Sequence, residues 1–444
     1  MRKIAIIVDD VVRDLLPLSL LAMELKKKDF NPILVPSRIQ FIEISKVKPD
    51  VVVINYLRKE NEKYVELYKR AGIDIFLLDQ EGGAFKSFDF YEKTKITKKI
   101  SLKNMITGVF NWSQIIHNES ISRKWFDERQ NILTGHPKYD IYFKPKKNKI
   151  LSNKNKILLL TSFTFANPRL SSKSDEVLTW SSTGQIETKL KDMQSQQIES
   201  FNVYINKIEK IFLKNKSKDF ILKVHPFESA KSYHEKFDKY ENVLIVQNTH
   251  LHSLLDISRV AIHISSTTAI ECILSDVIPV NLRFLNNPID IDIINQISLN
   301  CETLEEFMNI FSSLDEISER YSFEDATKNL NKYFGTLDGR SSLRISEYLK
   351  SYYGDKKIPD TINYDLIKRH QLEENKLKKI ILFLISWSDK LSQFSFYKGS
   401  SQVTLWERSI KYFDANIIND LQNDFNLENI KFLKYKETNS VTTK

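Results

Sequence analysis

Four consecutive hydroxyl side chains give the strongest chemical signal in the sequence. They are Ser265, Ser266, Thr267 and Thr268. The run closes an apolar stretch that predicts a strand and opens a predicted helix, where free backbone N–H groups and the helix dipole favour an anion. One Ser or Thr is enough for an ordinary cap, so four in a row favour a phosphate site. Glu271 lies one helical turn beyond Thr267, where it is placed to accept hydrogen bonds from ribose hydroxyls.

A histidine and a proline follow a second predicted strand, at residues 219–224. Pro226 restricts His225 to an extended conformation, which would project the imidazole from the carboxyl edge of a sheet. An imidazole at that edge can bind a diphosphate or a phosphodiester, or it can protonate a leaving group. The segment therefore predicts a second contact to a phosphate.

Two carboxylates and two glycines follow a third predicted strand, in the segment Leu78–Gly83. Asp79 and Glu81 offer the chemistry of a general base or a nucleophile. The paired glycines, Gly82 and Gly83, would let the backbone turn sharply and approach a ligand. The same residues also fit an ordinary turn with solvated acids, so the segment alone leaves both interpretations open.

A weaker polar segment, Thr161–Asn167, follows the strand predicted at Ile157–Leu160. Ser162 and Asn167 are its candidates for contact with a ligand. In open α/β sheets ligands bind beyond the carboxyl ends of the strands. All four segments are predicted at that position.

The elements that would position these residues alternate between strands and helices. Apolar runs of strand length, such as Lys3–Val8, are separated by helical stretches of roughly 10–15 residues, which predicts βαβ units and parallel sheets. A lysine-rich stretch without acids interrupts the series. The sequence therefore predicts Rossmann-like domains at 1–145 and 157–350, a basic linker at 146–156, and a helical extension at 355–444. The extension either docks on the core or binds a membrane surface or a partner.

Composition narrows the classes of function. The chain has 444 residues, with 66 Lys and Arg against 57 Asp and Glu, and the resulting net charge of +9 favours anionic partners. Its glycines fit neither a dinucleotide fingerprint nor a P-loop, no Cys or His cluster has zinc spacing, and no RNA-binding motif occurs. With two cysteines, no signal peptide and no apolar run of about 18 residues, we expect a cytoplasmic protein. It would have no nucleic-acid partner, and peripheral contact with the inner membrane stays open.

These segments together resemble a known family. Lys223–Pro226, followed about forty residues later by Ser265–Thr267, resembles the HP and serine motifs of bacterial glycosyltransferases that use CMP-activated sugars, such as sialyltransferases and Kdo transferases of capsule assembly. Gln80–Gly82 resembles their acidic motif, with Gln80 where that family has its first acid. Phe110–Ser113 and Leu133–Asp140 are similar to GT-B-like proteins of surface carbohydrate biosynthesis, including capsule, lipopolysaccharide and O-antigen. The resemblance covers about residues 1–350.

The resemblance implies a GT-B fold, with two facing Rossmann-like domains and the active site between them. It implies transfer of an ulosonic or nonulosonic acid from a CMP-activated donor to a hydroxyl of a surface glycan or lipid-linked acceptor. Glu81 would be the catalytic carboxylate, and His225 would assist the departure of CMP. Since N–H groups and histidine would stabilise the leaving phosphate, we expect no metal and no other cofactor. The implied donor-binding residues are Lys223, His225, Pro226, Ser265, Ser266, Thr267 and Glu271. The further candidates for the cleft are Asp79, Gln80, Gly82, Ser162 and Asn167.

Three alternatives stay open. A CDP-glycerol or CDP-ribitol phosphotransferase of the same fold would also carry HP and serine motifs. A UDP-sugar 2-epimerase would need several acids in the cleft and no polymer acceptor. A scaffold without catalytic activity at the inner membrane would depend on the extension rather than on the motifs.

Overall fold

The computed structural model describes residues 1–144, 154–169, 187–285, 290–311, 314–354, 361–370, 430–432 and 441–443, together with positions 177 and 356. The chain divides into two units. The first unit comprises Met1–Lys146 and Tyr333–Lys444, and the second comprises Lys147–Lys332.

The first unit is built on a sheet whose N-terminal strands are all parallel. They are β1 (Lys3–Val8), β2 (Asn31–Pro36), β3 (Val51–Ile54), β4 (Asp74–Leu77), β5 (Gly108–Asn111) and β6 (Asn131–Leu133). These strands lie in the order β2-β1-β3-β4-β5-β6. They are short, largely buried apolar runs, as expected of a sheet covered on both faces. The direction in which strands are added reverses between β1 and β3, so this sheet has its topological switch point there.

Six helices connect these strands within residues 1–144. They are α1 (Val11–Lys27), α2 (Gln40–Val47), α3 (Glu62–Ala71), α4 (Phe88–Lys95), α5 (Ile100–Met105) and α6 (Gln114–Ser122). Helix α1 shows how the sequence sets their ends. The side chain of Asp10 caps it by accepting from the backbone N–H of Arg13, and Lys26 and Lys27 lie in its last turn, near the negative end of the helix dipole.

The second unit has a parallel sheet of its own. Its strands are β7 (Lys156–Leu160), β8 (Phe220–Lys223), β9 (Val243–Val246), β10 (Ser258–His263), β11 (Ile278–Leu282) and β12 (Leu299–Cys301). They lie in the order β12-β11-β10-β7-β8-β9, which places the switch point between β7 and β10. The helices described here are α7 (Glu187–Lys214), α8 (Lys231–Phe237), α9 (Leu251–Ile257), α10 (Thr268–Ile273), α11 (Asp292–Ile297), α12 (Leu304–Ile310), α13 (Leu314–Arg320) and α14 (Phe323–Phe334).

The chain then returns to the first unit. Helix α15 (Ser341–Tyr353) buries Ile345, Leu349 and Tyr353 in the core cluster that contains residues of β1 and α1. The sequence analysis places residues 157–350 in one domain, whereas in the structure the chain belongs with the first unit from Tyr333 onwards. The difference has a simple cause, because an amphipathic pattern shows that a helix face is buried but not which core it covers.

The predicted helical extension falls largely outside the described residues. Residues 364–370 are helical. Two strands, β13 (Ile430–Phe432) and β14 (Val441–Thr443), were not predicted, and β14 pairs antiparallel with β2 at the edge of the first sheet. Their β-branched and aromatic residues suit a strand, but three residues are too few for a periodic signal. Among the described helices, none combines the length and the apolar character needed to cross a bilayer.

Candidate functional site

In the second unit, three loops that the sequence singled out meet at one end of the sheet. The segment beginning at Thr161 follows β7, His225 follows β8, and Ser265 follows β10. Because β7 lies between β8 and β10, the two motif loops flank it at a separation of two strand spacings, about 10 Å. The loops therefore meet at the switch point, where open α/β sheets bind ligands.

The backbone of His225 is held by two neighbouring strands. Its N–H donates to Thr161 Oγ1 at 3.0 Å, and its C=O accepts from Gln247 Nε2 at 2.9 Å. The ring Nδ1 accepts from the backbone N–H of Phe227 at 3.2 Å. In a neutral imidazole this places the proton on Nε2. The half-buried His225 therefore offers a donor, Nε2–H, as the sequence analysis requires for a phosphate contact.

A buried carboxylate that the sequence analysis missed lies beside this loop. The Oε1 atom of Glu228 accepts from Thr161 Oγ1 and from the N–H of Phe163, both at 2.8 Å, and its Oε2 accepts from Tyr233 Oη at 2.5 Å. Burial raises the pKa of Glu228 to about 7, although these hydrogen bonds act to lower it. In the sequence Glu228 is one acid near a proline turn, and only the fold brings Thr161 to it.

Within the hydroxyl run after β10, two of the residues are hydrogen-bonded to each other. Ser266 Oγ accepts from the backbone N–H of Thr268 at 3.3 Å and from its hydroxyl at 2.8 Å. Helix α10, which follows, has six residues. The side chains of the run are half-buried.

Two fully buried side chains hold the backbone of this loop, and the sequence analysis named neither. Asn281 Oδ1 accepts from the N–H of Ser265 at 2.8 Å, and Ser265 has a left-handed φ of 43°. His263 Nδ1 accepts from the N–H of Ser266 at 3.3 Å, and burial lowers the pKa of His263 to about 3, so its ring is neutral. The backbone N–H groups of Ser265 and Ser266, expected to face an anion, are thus already engaged. The hydroxyls of Ser265 and Thr267 are the remaining candidate donors.

Two further predicted residues take part in contacts that hold these loops. Lys223 Nζ donates to the C=O of Gln247 at 3.1 Å. Asn167 donates from Nδ2 to the C=O of Ser229 at 3.0 Å and accepts at Oδ1 from Ser232 Oγ at 2.8 Å. These bonds tie the segment after β7 to the turn before α8. Lys223 and Asn167 thus hold neighbouring segments of this unit together, and their contact with a ligand stays a prediction.

Three predicted residues remain in this unit. Ser162 and Pro226 are half-buried, and the C=O of Pro226 accepts from Arg169 Nη1 at 3.5 Å. Glu271 lies on α10 and is buried, with 6% of its surface exposed. Ribose binding by Glu271 therefore stays a prediction that needs this carboxylate to become accessible.

In the first unit, Glu81 lies among three cations. Its carboxylate accepts from Lys95 Nζ at 2.6 Å, Arg58 Nη2 at 2.7 Å and Arg13 Nη1 at 3.1 Å. These charges hold the pKa of Glu81 well below its usual range, although desolvation acts in the opposite direction. About a third of the side chain, 35%, is exposed. Glu81 is therefore an ionised, partly accessible carboxylate of low basicity.

The cations belong to a network at the switch point of the first sheet, which the sequence analysis did not identify. Arg13 follows β1, and it donates to both carboxylate oxygens of Asp14 and to Tyr56 Oη at 3.1 Å. The hydroxyl of Tyr56, after β3, donates to Asp9 Oδ2 at 2.7 Å. The Arg58 guanidinium lies 3.9 Å from the centre of the Tyr56 ring. The segments after β1, β3 and β4 thus meet at one sheet edge.

The other residues of the acidic segment are buried. Asp79 accepts from the N–H of Glu81 at 2.8 Å and from Tyr91 Oη at 2.7 Å. Gln80 Nε2 donates to the C=O of Leu78 at 3.1 Å. Asp79 and Gln80 therefore shape the turn that presents Glu81, so of the two acids here Glu81 is the more accessible.

The paired glycines lie against the ring of Trp112. A Cβ on Gly83 would lie 2.5 Å from the Trp112 ring, and one on Gly82 would lie 3.1 Å from its Nε1. The indole packs directly on both glycines and donates from Nε1 to the C=O of Asp79. The buried, neutral ring of His136 stacks on the Trp112 ring, with 3.8 Å between the ring centres. The glycines therefore make room for Trp112, and the approach of a ligand to this turn stays a prediction.

The segment Leu133–Asp140 serves to anchor helix α15. The carboxylate of Asp140 accepts from the backbone N–H groups of Ser341 at 3.0 Å and Ser342 at 2.7 Å. Arg344 donates from Nε to the C=O of Thr134 at 2.7 Å. The segment is therefore a structural part of the first unit that caps a helix from a distant part of the chain.

No protein-family model and no curated protein matches this chain. Solved structures are similar to it. A Listeria monocytogenes protein assigned as a UDP-N-acetylglucosamine 2-epimerase superposes with a TM-score of 0.52 at 14% identity, over 80% of this chain and 98% of its own. S. aureus MnaA with UDP gives 0.51 at 12% identity, over 79% and 97%. A further UDP-N-acetylglucosamine 2-epimerase gives 0.50 at 12% identity, over 81% and 98%.

At these identities the similarity shows the fold. It is an α/β fold of two Rossmann-like domains, of the GT-B type, and the predicted fold class is confirmed. The similarity covers nearly the whole length of each of these structures, so it includes both units.

Proposed function

We propose that this chain is a glycosyltransferase that moves an ulosonic or nonulosonic acid from a CMP-activated donor to a hydroxyl of a glycan acceptor. One observation carries the proposal. The His225 and Ser265 loops, forty residues apart in the chain, lie on either side of β7 at the switch point of one sheet. A nucleotide phosphate and its ribose fit a span of about 10 Å.

In this proposal the donor phosphate accepts hydrogen bonds from Nε2–H of His225 and from the hydroxyls of Ser265 and Thr267. Negative charge grows on the phosphate of CMP as its bond to the sugar breaks. Donors held in place before the reaction stabilise that charge without reorganisation, and His225 assists the departure of CMP. The proposed reaction uses these side chains and no metal or other cofactor.

Glu81 is the proposed catalytic carboxylate. A base that accepts the proton of a hydroxyl works best when its pKa lies near the working pH. The three cations around Glu81 lower its pKa. Deprotonation by Glu81 therefore requires the entering acceptor to displace at least one of them, whereas attack on the sugar as a nucleophile needs only the ionised form.

A UDP-sugar 2-epimerase is the second candidate, and the first unit supplies the observation that favours it. Such an enzyme needs several acids in its site, and Asp9, Asp14 and Glu81 lie in one network with Arg13. The similar solved structures include UDP-N-acetylglucosamine 2-epimerases. The two candidate functions differ in the nucleotide that the protein would bind, which is CMP for the glycosyltransferase and UDP for the epimerase.

Calorimetric binding of CMP, UMP and UDP to the purified protein tests the proposal. We expect CMP to bind, and His225→Ala and Ser265→Ala to weaken binding by about tenfold or more, because each removes a side chain that donates to the phosphate in this proposal. Asn242→Ala is a control, because its side chain bonds to backbone carbonyls at the opposite end of the sheet. Preference for UDP would favour the epimerase, and indifference to all three nucleotides would contradict both candidates.

A further inference from the structure

We propose that Thr161 and Glu228 are positioning residues for the phosphate site. Glu228 orients the hydroxyl of Thr161, and that hydroxyl fixes the backbone of His225 and thereby the place of its Nε2–H. The inference rests on the proposed function, since it concerns the same nucleotide phosphate. The sequence analysis names Thr161 only as the start of a polar segment and does not name Glu228, and neither residue contacts the ligand in this proposal.

The direction of the hydrogen bonds follows from what each group can donate. A threonine hydroxyl has one proton and two lone pairs. The proton of Thr161 Oγ1 goes to Glu228 Oε1, 2.8 Å away. A lone pair of the same oxygen then faces the backbone N–H of His225, 3.0 Å away. If Glu228 were not an acceptor there, the hydroxyl could rotate and the N–H of His225 would lose a fixed partner.

Glu228 also holds the neighbouring loop. Its Oε1 accepts from the backbone N–H of Phe163 at 2.8 Å, which fixes the chain directly after β7. Gln247, at the end of β9, donates from Nε2 to the C=O of His225 at 2.9 Å and to the C=O of Glu228 at 2.7 Å. Residues that follow β7 and β9, the strands on either side of β8, thus hold the His225 turn by hydrogen bonds.

The burial of Thr161 and Glu228 distinguishes a positioning role from direct contact with the nucleotide. Glu228 is fully buried and Thr161 is 5% exposed, while His225 is half-buried. A buried network whose donors and acceptors are satisfied makes a loop rigid, and the loss of one member leaves another group without a partner. Removing the Thr161 hydroxyl is therefore expected to loosen His225 rather than to remove a contact with the nucleotide.

Three variants separate positioning from general stability. Thr161→Val removes the hydroxyl at nearly constant volume, and Thr161→Ser keeps it. Thr161→Ala repeats the loss of the hydroxyl without the branched side chain. The control is Asn242→Ala, which removes hydrogen bonds to the backbone C=O groups of Phe212 and Lys218 at the opposite end of the sheet and leaves Thr161 and Glu228 in place.

The measurements are CMP binding by calorimetry, melting temperature, and hydrogen exchange of the peptide that contains the His225 amide, all on the full chain. We expect Thr161→Val and Thr161→Ala to weaken CMP binding by about tenfold or more and to speed exchange at His225. Thr161→Ser keeps the hydroxyl, so CMP binding and exchange at His225 are expected to match those of the unmodified chain. Asn242→Ala is expected to lower the melting temperature while CMP binding changes by less than about threefold.

Unchanged CMP binding in both hydroxyl-free variants would overturn the positioning role. Weakening of CMP binding by Asn242→Ala in parallel with the loss of stability would overturn it too. If the unmodified protein binds none of CMP, UMP and UDP, the proposed function itself fails. The exchange data, which need no ligand, then report separately whether Thr161 fixes the His225 amide.

Discussion

At the scale of single residues, Glu81 shows how neighbours set the chemistry of a carboxylate. Lys95, Arg58 and Arg13 each donate to it, and each stabilises its ionised form. Glu81, the candidate catalytic carboxylate of the sequence analysis, is therefore ionised throughout the neutral pH range. A reaction that uses Glu81 as a base depends on how many of these cations remain in contact during the reaction.

Lys95→Met tests this dependence. With one cation removed, the pKa of Glu81 rises, because the ionised form loses part of its stabilisation. If the proposed transfer needs ionised Glu81, the acidic limb of the kcat/KM profile moves to higher pH. Lys99→Met is the matched control, since Lys99 Nζ pairs with Glu62 at 2.7 Å. An acidic limb that stays in place in Lys95→Met would show that another group titrates.

Glu228 gives a prediction for stability against pH. Burial raises the pKa of Glu228 in the folded chain from an ordinary 4.5 to about 7, so the folded state binds the proton more tightly than the unfolded state. The stabilisation from this proton is complete below about pH 4.5 and is lost as the pH rises to about 7, an effect on the order of 3 kcal/mol.

Chemical denaturation across pH 5–8 tests this. Glu228→Gln carries no proton to release, so its free energy of unfolding is expected to fall less than that of the unmodified chain over this range. Tyr233→Phe, which keeps the carboxylate, is the control and retains the pH dependence. Parallel profiles for Glu228→Gln and the unmodified chain would assign the titration to other groups.

What the sequence could predict at this scale was local. His225 and Ser265 were found because a strand followed by a turn places its last residues at a sheet edge, whatever the rest of the chain does. Glu228 and Arg13 were missed because their roles depend on partners more than sixty residues away, such as Thr161 and Glu81. The packing of Gly83 was missed for a similar reason, since its neighbour Trp112 comes from the segment that follows the next strand, β5.

At the scale of elements, helix α15 shows how distant segments determine where a helix belongs. Its N-cap position, Arg340, forms no side-chain cap bond, and Asp140 supplies the cap from 201 residues away. The sequence predicts the alternation of strands and helices, since that alternation follows from local periodicity, but it misses β13 and β14. It could not predict the partner of α15 or the pairing of β14 with β2, which depend on long-range contacts.

Asp140→Ala is expected to destabilise the chain by about 1–3 kcal/mol, because two buried backbone N–H groups lose their acceptor. Asp140→Asn keeps one acceptor oxygen and is expected to lose about half as much. Chemical denaturation measures both. Asp338→Ala is the control, since Asp338 pairs with Arg344 near the surface and such pairs contribute about 0–1 kcal/mol. Equal losses for Asp338→Ala and Asp140→Ala would contradict the special role of the buried cap.

At the scale of the whole molecule, the two units have separate cores, although the chain passes from the first to the second and back. Leu349 of α15 is fully buried in a cluster with β1 and α1. Leu282 of β11 is buried in the cluster of the second unit. A cavity in one core should therefore loosen the unit that contains it, and the position of a residue along the chain should not matter.

Leu349→Ala and Leu282→Ala form a matched pair that tests this division. Each is expected to cost about 2–5 kcal/mol through lost packing and a cavity. Hydrogen exchange should show lost protection in β1 and α1 for Leu349→Ala, and in β7 and β10 for Leu282→Ala. If Leu349→Ala instead loosened β7 and β10 as strongly as β1, residues 341–353 would belong to the core of the second unit, and the boundary near 350 predicted from the sequence would be correct after all.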